Sequence, residues 1–312
     1  VNLYLRSLRP VQLRLIAAIA RHGKLRLAAD ACSMTAPAAS RMLADIEAQI
    51  GSDLFERTPK GMLPTPAGDV LAKHARKLVH DVDQMAEEFA AHLGGKGGSV
   101  RVGAVTGGAL AIIIPAILQL KQDAPMVDVS LDVSSSSRLM WGVERGEYDF
   151  TLSRVGSQDY SRDFDIYPAR DEAVLLMVRS SHPLADAGPV ALADLRDYLW
   201  TMQERGAPIR HALEIAFHEE GTELPANMIK TASVVAIMAL LRDSDVIAVV
   251  THEVAELLLS PPYSADLVLL NTERPIDIEP YHVLRPRDRL MSAAAERLLD
   301  LVKARLIADQ GD

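Results

Sequence analysis

The chain has 312 residues, 49% of them hydrophobic, 24% charged and 4% aromatic; this is too long for one ordinary domain of about 100 to 200 residues, predicts two or three units, and is the composition of a globular chain with no indication of disorder. One cysteine, Cys32, leaves no internal disulfide, no apolar run approaches the ~18 residues of a membrane span, and the opening VNLYLRSLRP lacks the apolar core of a secretory leader, so the expected compartment is the cytoplasm, with no membrane association. The net charge of -9 is unevenly spread, because residues 1–66 hold nine Lys/Arg against five acids and leave -13 on the remainder, the pattern of a chain that offers only one end to a polyanion.

From Leu8, apolar residues at Val11, Leu15, Ala18 and Ile19 recur every three or four positions and predict a helix that ends near Gly23. A short helix over 25–32 follows. The Ser33-Met34 turn leads to Thr35, whose hydroxyl can cap a third helix with Pro37 in its first turn, running on to Gly51. Two helices joined by a tight turn form a helix-turn-helix, here 25–44, and the second is shaped to enter a DNA major groove, although structural helix pairs share this outline. Residues 51–65 read as a hairpin wing, with Leu54-Phe55 and Met62-Leu63 as apolar anchors. After Pro66 a long helix to about residue 93 carries a heptad seam, Leu71, Ala75, Leu78, Val82, Met85 and Phe89, suited either to a second helix of another copy or to its own domain.

Glycines at 94, 95, 97 and 98 then break the pattern as a linker. Alternation at 100–104, a helix over 109–121, a second alternating strand over 127–133, a helix over 136–145 and a strand over 148–152 set a β-α-β rhythm and predict a largely parallel sheet. Further strands are expected at 173–178, 200–202, 246–250, 267–270 and 281–284, and helices at 207–218, 234–242 and 291–307.

The run Leu27-Ala28-Ala29, then Thr35 through Arg41, Ile46 through Gly51, Leu54-Phe55-Glu56-Arg57 and Thr65-Pro66-Ala67-Gly68 resembles the DNA-binding signature of LysR-type transcriptional regulators. Gly146-Glu147-Tyr148-Asp149, His182-Pro183-Leu184 and the 233–250 segment resemble the effector domain of the same family, so the likeness covers nearly the whole chain. It implies an α/β protein in three parts: a winged helix-turn-helix at 8–65, a linker and dimerisation helix at 66–93, and, beyond a hinge at 94–99, a periplasmic-binding-protein-like (type 2) body at 100–312. Lobe one is expected at about 100–160 and 268–312, and lobe two at 161–267. The resemblance further implies double-stranded operator DNA, a small-molecule effector, a homodimer or dimer of dimers, and RNA polymerase as partners, no cofactor and no metal, and control of a sugar or aromatic-acid catabolic operon. Two positions depart from the family: Ala36 stands where Gln, a reader of adenine, is common, and Lys24 where a capping Ser is common.

On the DNA side the candidate residues are Leu25, Thr35, Ala36, Pro37, Ala38, Ser40 and Arg41 of the helix-turn-helix, with Arg57 and Lys60 on the wing. Phosphate contacts set register and base-edge contacts set sequence; Arg41 suits either, while Thr35 is equally a plain helix cap. In doubly wound lobes, ligands sit at the carboxyl ends of strands, which selects Thr106, Ser135, Ser136, Gln203 and Ser233 for the effector, each serine taken alone being also a simple cap. No catalytic constellation assembles: His252-Glu253 and His218-Glu219 lack the second histidine of a zinc-protease motif, and Gly103 and Gly107-Gly108 miss dinucleotide spacing. The competing reading is a small-molecule binding protein or enzyme with the same α/β body and no DNA, and a third is an architectural DNA binder that senses no ligand.

Overall fold

A computed structural model of the chain describes residues 3–59, 61–92, 97–155, 163–263, 265–287 and 289–309. The head opens with a 3-10 turn, Leu3–Ser7, followed by α1 (Pro10–His22), α2 (Leu25–Ala31), α3 (Ala36–Ile50) and a hairpin of β1 (Phe55–Thr58) and β2 (Gly61–Pro64). Leu15, Ile16, Ile19, Leu43 and Ile46 are buried together, whereas Val11, expected on the same stripe, lies at its edge, 38% exposed. α1 and α3 end on Gly23 and Gly51, both left-handed. The amide of Met62 donates to the carbonyl of Gly23 at 2.7 Å, tying the wing to the end of α1. This close approach needs Gly61, where a Cβ would collide with the Gly23 carbonyl. Of the two wing anchors, Met62 points inward and Leu63 outward, as the two-residue period of a strand requires.

Helix α4, Pro66–His92, leaves the head. Ala72 and Ala75 are buried in the head core, while Leu78, Met85 and Phe89 are exposed by 49%, 63% and 64%. The seam therefore divides: its first turns pack on its own head and the later ones face outward. Leu93 and residues 94–96 of the expected hinge lie outside the described residues.

In the body, β3 (Ser99–Ala104) leads through a short α5 (Thr106–Gly108) and a π turn into α6 (Ile114–Asp123), and β4 (Asp128–Val133), α7 (Ser136–Glu144) and β5 (Phe150–Ser153) complete the first half of lobe one. A long strand β6 (Phe164–Arg179) crosses to lobe two, which holds β7 (Leu199–Met202), α8 (Pro208–Glu219), β8 (Met228–Lys230), α9 (Val234–Asp243), β9 (Val246–Thr251), α10 (His252–Leu259) and β10 (Leu267–Leu269). β11 (Ile276–Pro286) returns and α11 (Ala293–Asp309) closes lobe one.

Within the lobes the strands pair in parallel, β4-β3-β5 in one and β9-β7-β8 in the other. The two crossing strands pair antiparallel with each other, from Phe164 opposite Pro286 to Val174 opposite Ile276. They join both lobes into one sheet in the order β4-β3-β5-β11-β6-β9-β7-β8, with β10 beside β6. The expectation of a largely parallel sheet thus holds among β3, β4, β5, β7, β8 and β9 and fails wherever a crossing strand takes part, because chain passing between lobes must run out and back. β11 pairs antiparallel with β5, and β6 pairs antiparallel with β9 and β10. Both crossing strands are much longer than expected, since the apolar signal marks only the stretches packed against a core. Leu270, Ile276 and Ile278, expected in lobe one, pack with Trp200, Leu213 and Phe217 in lobe two, so the crossing lies later than residue 268. Lobe one closes around Val102, Ile112, Phe150, Tyr281 and Leu298.

Candidate functional site

The head presents a basic, helix-led face. Thr35 caps α3, its Oγ1 accepting the Ala38 amide at 3.4 Å, and Thr35, Pro37, Arg41 and Arg57 are exposed. The Arg57 guanidinium donates to Ser40 Oγ at 3.3 Å, so wing and recognition helix hold each other in register. Ala38 and Ser40 are half-buried on the same helix, and Leu25 and Ala36 pack half-buried against the head core. Lys60 lies outside the described residues. Sequence reading missed a groove of about 450 Å³ beside α3, lined by Ser7, Arg9, Arg41 and Asp45 among others.

Beyond the head, α4 rests on lobe one through polar contacts. His80 is buried and its Nδ1 lies 3.1 Å from the Arg101 guanidinium, while the Arg101 amide donates to Asp149 at 2.7 Å. Burial, and after it the Arg101 charge, hold the His80 imidazole below its ordinary value. Arg21 of the head and Arg138 of lobe one both pair with Glu147, at 3.0 and 2.7 Å.

The ligand-sized feature is a cleft of about 800 Å³ between the lobes, and all five residues expected there line it: Thr106, Ser135, Ser136, Gln203 and Ser233. Its construction follows from topology. Each of the six parallel strands delivers its carboxyl end to this space: Val105 and Thr106 after β3, Ser134 after β4, Arg154 after β5, Gln203 after β7, Thr231 after β8 and Thr251 at the end of β9. The helices that follow start at the cleft, so α7, α8, α9 and α10 direct their N-terminal dipole ends toward it. Ser135 and Ser233 cap α7 and α9 with oxygens that accept Arg138 and Ala236 amides, and Ser136 Oγ accepts the Arg154 amide at 3.3 Å. The serine oxygens therefore serve the fold, and their hydroxyl hydrogens remain to be donated.

Three residues of the cleft floor escaped the sequence reading: Arg154, Glu172 and Thr251. The Arg154 guanidinium contacts the Glu172 carboxylate in an ion pair, donates from Nε to the Glu279 carbonyl at 2.8 Å, and lies over the Tyr281 ring. Burial pulls its pKa down to about 10, against the opposing influence of Tyr281, Glu253 and Glu279, so it stays protonated at neutral pH. Arg154 follows a strand as directly as Thr106 does, and the same rule finds it. Glu172 carried no such signal, because a charged residue ahead of the apolar 173–178 run reads as loop. Among the described residues no group of three or more His, Cys, Asp or Glu is placed to hold a metal, and no helix is long and apolar enough to cross a membrane.

Comparison with known proteins gives concordant results. The family model described as bacterial regulatory helix-turn-helix protein, lysR family, matches residues 10–69, and the one described as LysR substrate binding domain matches residues 93–307. The HTH-type transcriptional regulator GbpR of Rhizobium radiobacter is 35% identical over 246 residues, 78% of this chain and 82% of that protein. Among solved structures, a full-length OxyR variant from Pseudomonas aeruginosa superposes with a TM-score of 0.64 at 17% identity, covering 96% of this chain and 97% of that one. Full-length CbnR in complex with its target DNA gives a TM-score of 0.60 at 20% identity, covering 96% and 100%.

Proposed function

The chain belongs to the LysR family of DNA-binding transcriptional regulators, whose members are regulators rather than enzymes, and on that premise we propose that its interlobe cleft takes a small effector that changes how the head meets an operator. The observation that carries this reading is the convergence of six strand ends and four helix N-termini on one cleft of about 800 Å³. An effector touching Thr106, Ser135 and Ser136 from lobe one and Gln203 and Ser233 from lobe two favours the closed arrangement only through contacts made better in that state. Lobe one in turn seats α4 through His80, Arg101 and Asp149, so lobe closure is passed to the helix that carries the head.

In this reading the protein works in the cytoplasm as a homodimer or a dimer of dimers through the exposed later turns of α4, contacts RNA polymerase at the promoter, and controls a sugar or aromatic-acid catabolic operon. The DNA side uses Thr35, Ala36, Pro37, Ala38, Ser40 and Arg41 at the groove, Leu25 at the helix-turn-helix packing, and Arg57 and Lys60 on the wing. The same α/β body working without DNA is set aside by the match to the helix-turn-helix family over residues 10–69.

The test is to sequence the genomic fragments retained by the purified chain, with and without candidate metabolites. One enriched, two-fold symmetric site whose occupancy or footprint changes with a metabolite is the expected outcome. Retention of DNA that no small molecule alters would leave an architectural binder and remove the sensing half of the proposal.

A further inference from the structure

We propose that the floor of the cleft, Arg154 with Glu172 and Thr251, is a subsite for adjacent hydroxyl groups, so that the effector is a neutral polyhydroxylated molecule of the sugar or polyol class and not an aromatic acid. This rests on the reading of the cleft as the effector site and chooses between the two ligand classes that reading leaves open.

All three side chains are at least nine-tenths buried, at 5%, 7% and 5% exposure. Buried polar atoms in folded proteins are almost always paired, and those left over mark places kept for something else. Here Glu172 Oε1 and Thr251 Oγ1 have no hydrogen-bond partner among the described residues, although both residues line the cleft. One buried hydroxyl of lobe two is, by contrast, used internally: Thr201 Oγ1 accepts the Val249 amide at 3.1 Å.

The chemistry wanted at the floor follows from what is already satisfied. Arg154 and Glu172 neutralise each other, so a third charge placed beside them would be buried without a partner of its own. A ligand carboxylate would face the free oxygen of Glu172, and Glu253, behind Gly107, adds a second carboxylate to the same side: a Cβ on Gly107 would run into oxygens of both. A ligand ammonium would lie next to the Arg154 guanidinium, below helix ends that repel cations. A pair of neighbouring hydroxyls fits without charge, one donating to Glu172 while the other accepts from Arg154 or exchanges a hydrogen bond with Thr251. The walls agree, since among the described residues no Phe, Tyr or Trp lines the cleft, and an aromatic ring would have no aromatic partner to stack on.

The floor also joins separate parts of the body. Arg154 ends β5 in lobe one, Glu172 sits on the crossing strand β6, and Thr251 ends β9 in lobe two. A ligand holding all three by hydroxyls bridges the lobes at their hinge.

The experiment is calorimetric titration of the full chain with neutral aldoses and polyols, with benzoate and with glycine, repeated on Glu172→Gln and Thr251→Val, whose folding is verified by thermal melts. Binding of a neutral aldose or polyol that weakens about ten- to a hundredfold in either folded variant, the loss expected for a hydrogen bond to a charged group, supports the subsite. Sugar binding that both folded variants keep at full strength overturns it. Binding of benzoate or glycine with no sugar binding overturns the hydroxyl assignment and leaves the cleft as an effector site. If no probe of any class binds or shifts the melt, the effector reading of the cleft falls together with the subsite.

Discussion

Head and body differ in what they bury. Among the described residues of the head, the polar side chain that is buried is Gln12, and it is satisfied at both ends: its Oε1 accepts the Arg9 amide at 2.8 Å and its Nε2 donates to the Tyr4 hydroxyl at 3.0 Å. The body buries Arg154, Glu172, Thr251 and Glu253 near its cleft and leaves a polar atom of Glu172, of Thr251 and of Glu253 without a hydrogen-bond partner among the described residues. A buried polar group with all its partners specifies a fold, while one held ready in a cleft costs stability that a ligand can return. The head thus keeps its charges outside a satisfied core, and the body keeps unpartnered polar atoms beside a cleft, as the proposed effector site requires.

The largest test of that contrast is Leu15→Ala. Leu15 is fully buried in the small head core, and truncation is expected to cost ~2–5 kcal/mol. Both tryptophans, Trp141 and Trp200, lie in the body, so fluorescence reports body unfolding while circular dichroism reports the whole chain. The variant should lower the dichroism midpoint in an early phase and leave the fluorescence midpoint in place. Equal shifts by both probes would mean that head and body unfold as one unit.

Next comes the helix between them. Leu78→Asp puts a charge into the exposed half of the α4 seam and should weaken dimerisation about ten- to a hundredfold, read by sedimentation velocity across a concentration series. A variant that sediments like the parent would show that the seam is a solvated face. Arg41→Ala is expected to cost ~1–3 kcal/mol of operator binding if Arg41 reads a base, and to lower the salt slope by about one if it meets a phosphate. Fluorescence anisotropy at several salt concentrations separates the two, and unchanged affinity and slope remove Arg41 from the interface.

The smallest effect concerns the docking of α4 on the body. The folded chain holds His80 below its ordinary 6.5, first by desolvation and then by Arg101, with Arg289 acting in the same sense and Asp149 and Asp81 opposing. The unfolded chain therefore binds the proton more readily, so stability is complete above about pH 6.5 and declines as pH falls through the folded value. Melting temperatures between pH 7.5 and 5 (about that range) should fall more steeply in the parent than in His80→Gln. Parallel curves would show that the contact carries no proton linkage.

Legibility also divides between the two regions. Helix ends at Gly23 and Gly51, the Thr35 cap, the turn before α3 and the β1-β2 hairpin are all written in neighbouring residues, because caps and turns are settled within a few positions by backbone sterics and short hydrogen bonds. The carboxyl ends of β3, β4 and β7 and the start of α9 were readable in the same way, and with them Thr106, Ser135, Ser136, Gln203 and Ser233 as residues placed where doubly wound lobes open. The sequence also indicated the helical seam, but could not apportion it; the turns around Ala72 and Ala75 are buried because α1 packs there, and Leu78, Met85 and Phe89 are exposed because the head ends before them.

Tertiary structure alone decided the rest. The antiparallel pairing of β6 with β11 joins residues about a hundred positions apart, and no local pattern records which lobe Leu270 or Ile276 will enter. Arg154, Glu172 and Thr251 meet only when two lobes close on the same crossing strands. Their neutral, half-satisfied cluster has no sequence signature, because what distinguishes it is the absence of partners, and that is a property of the space around a side chain.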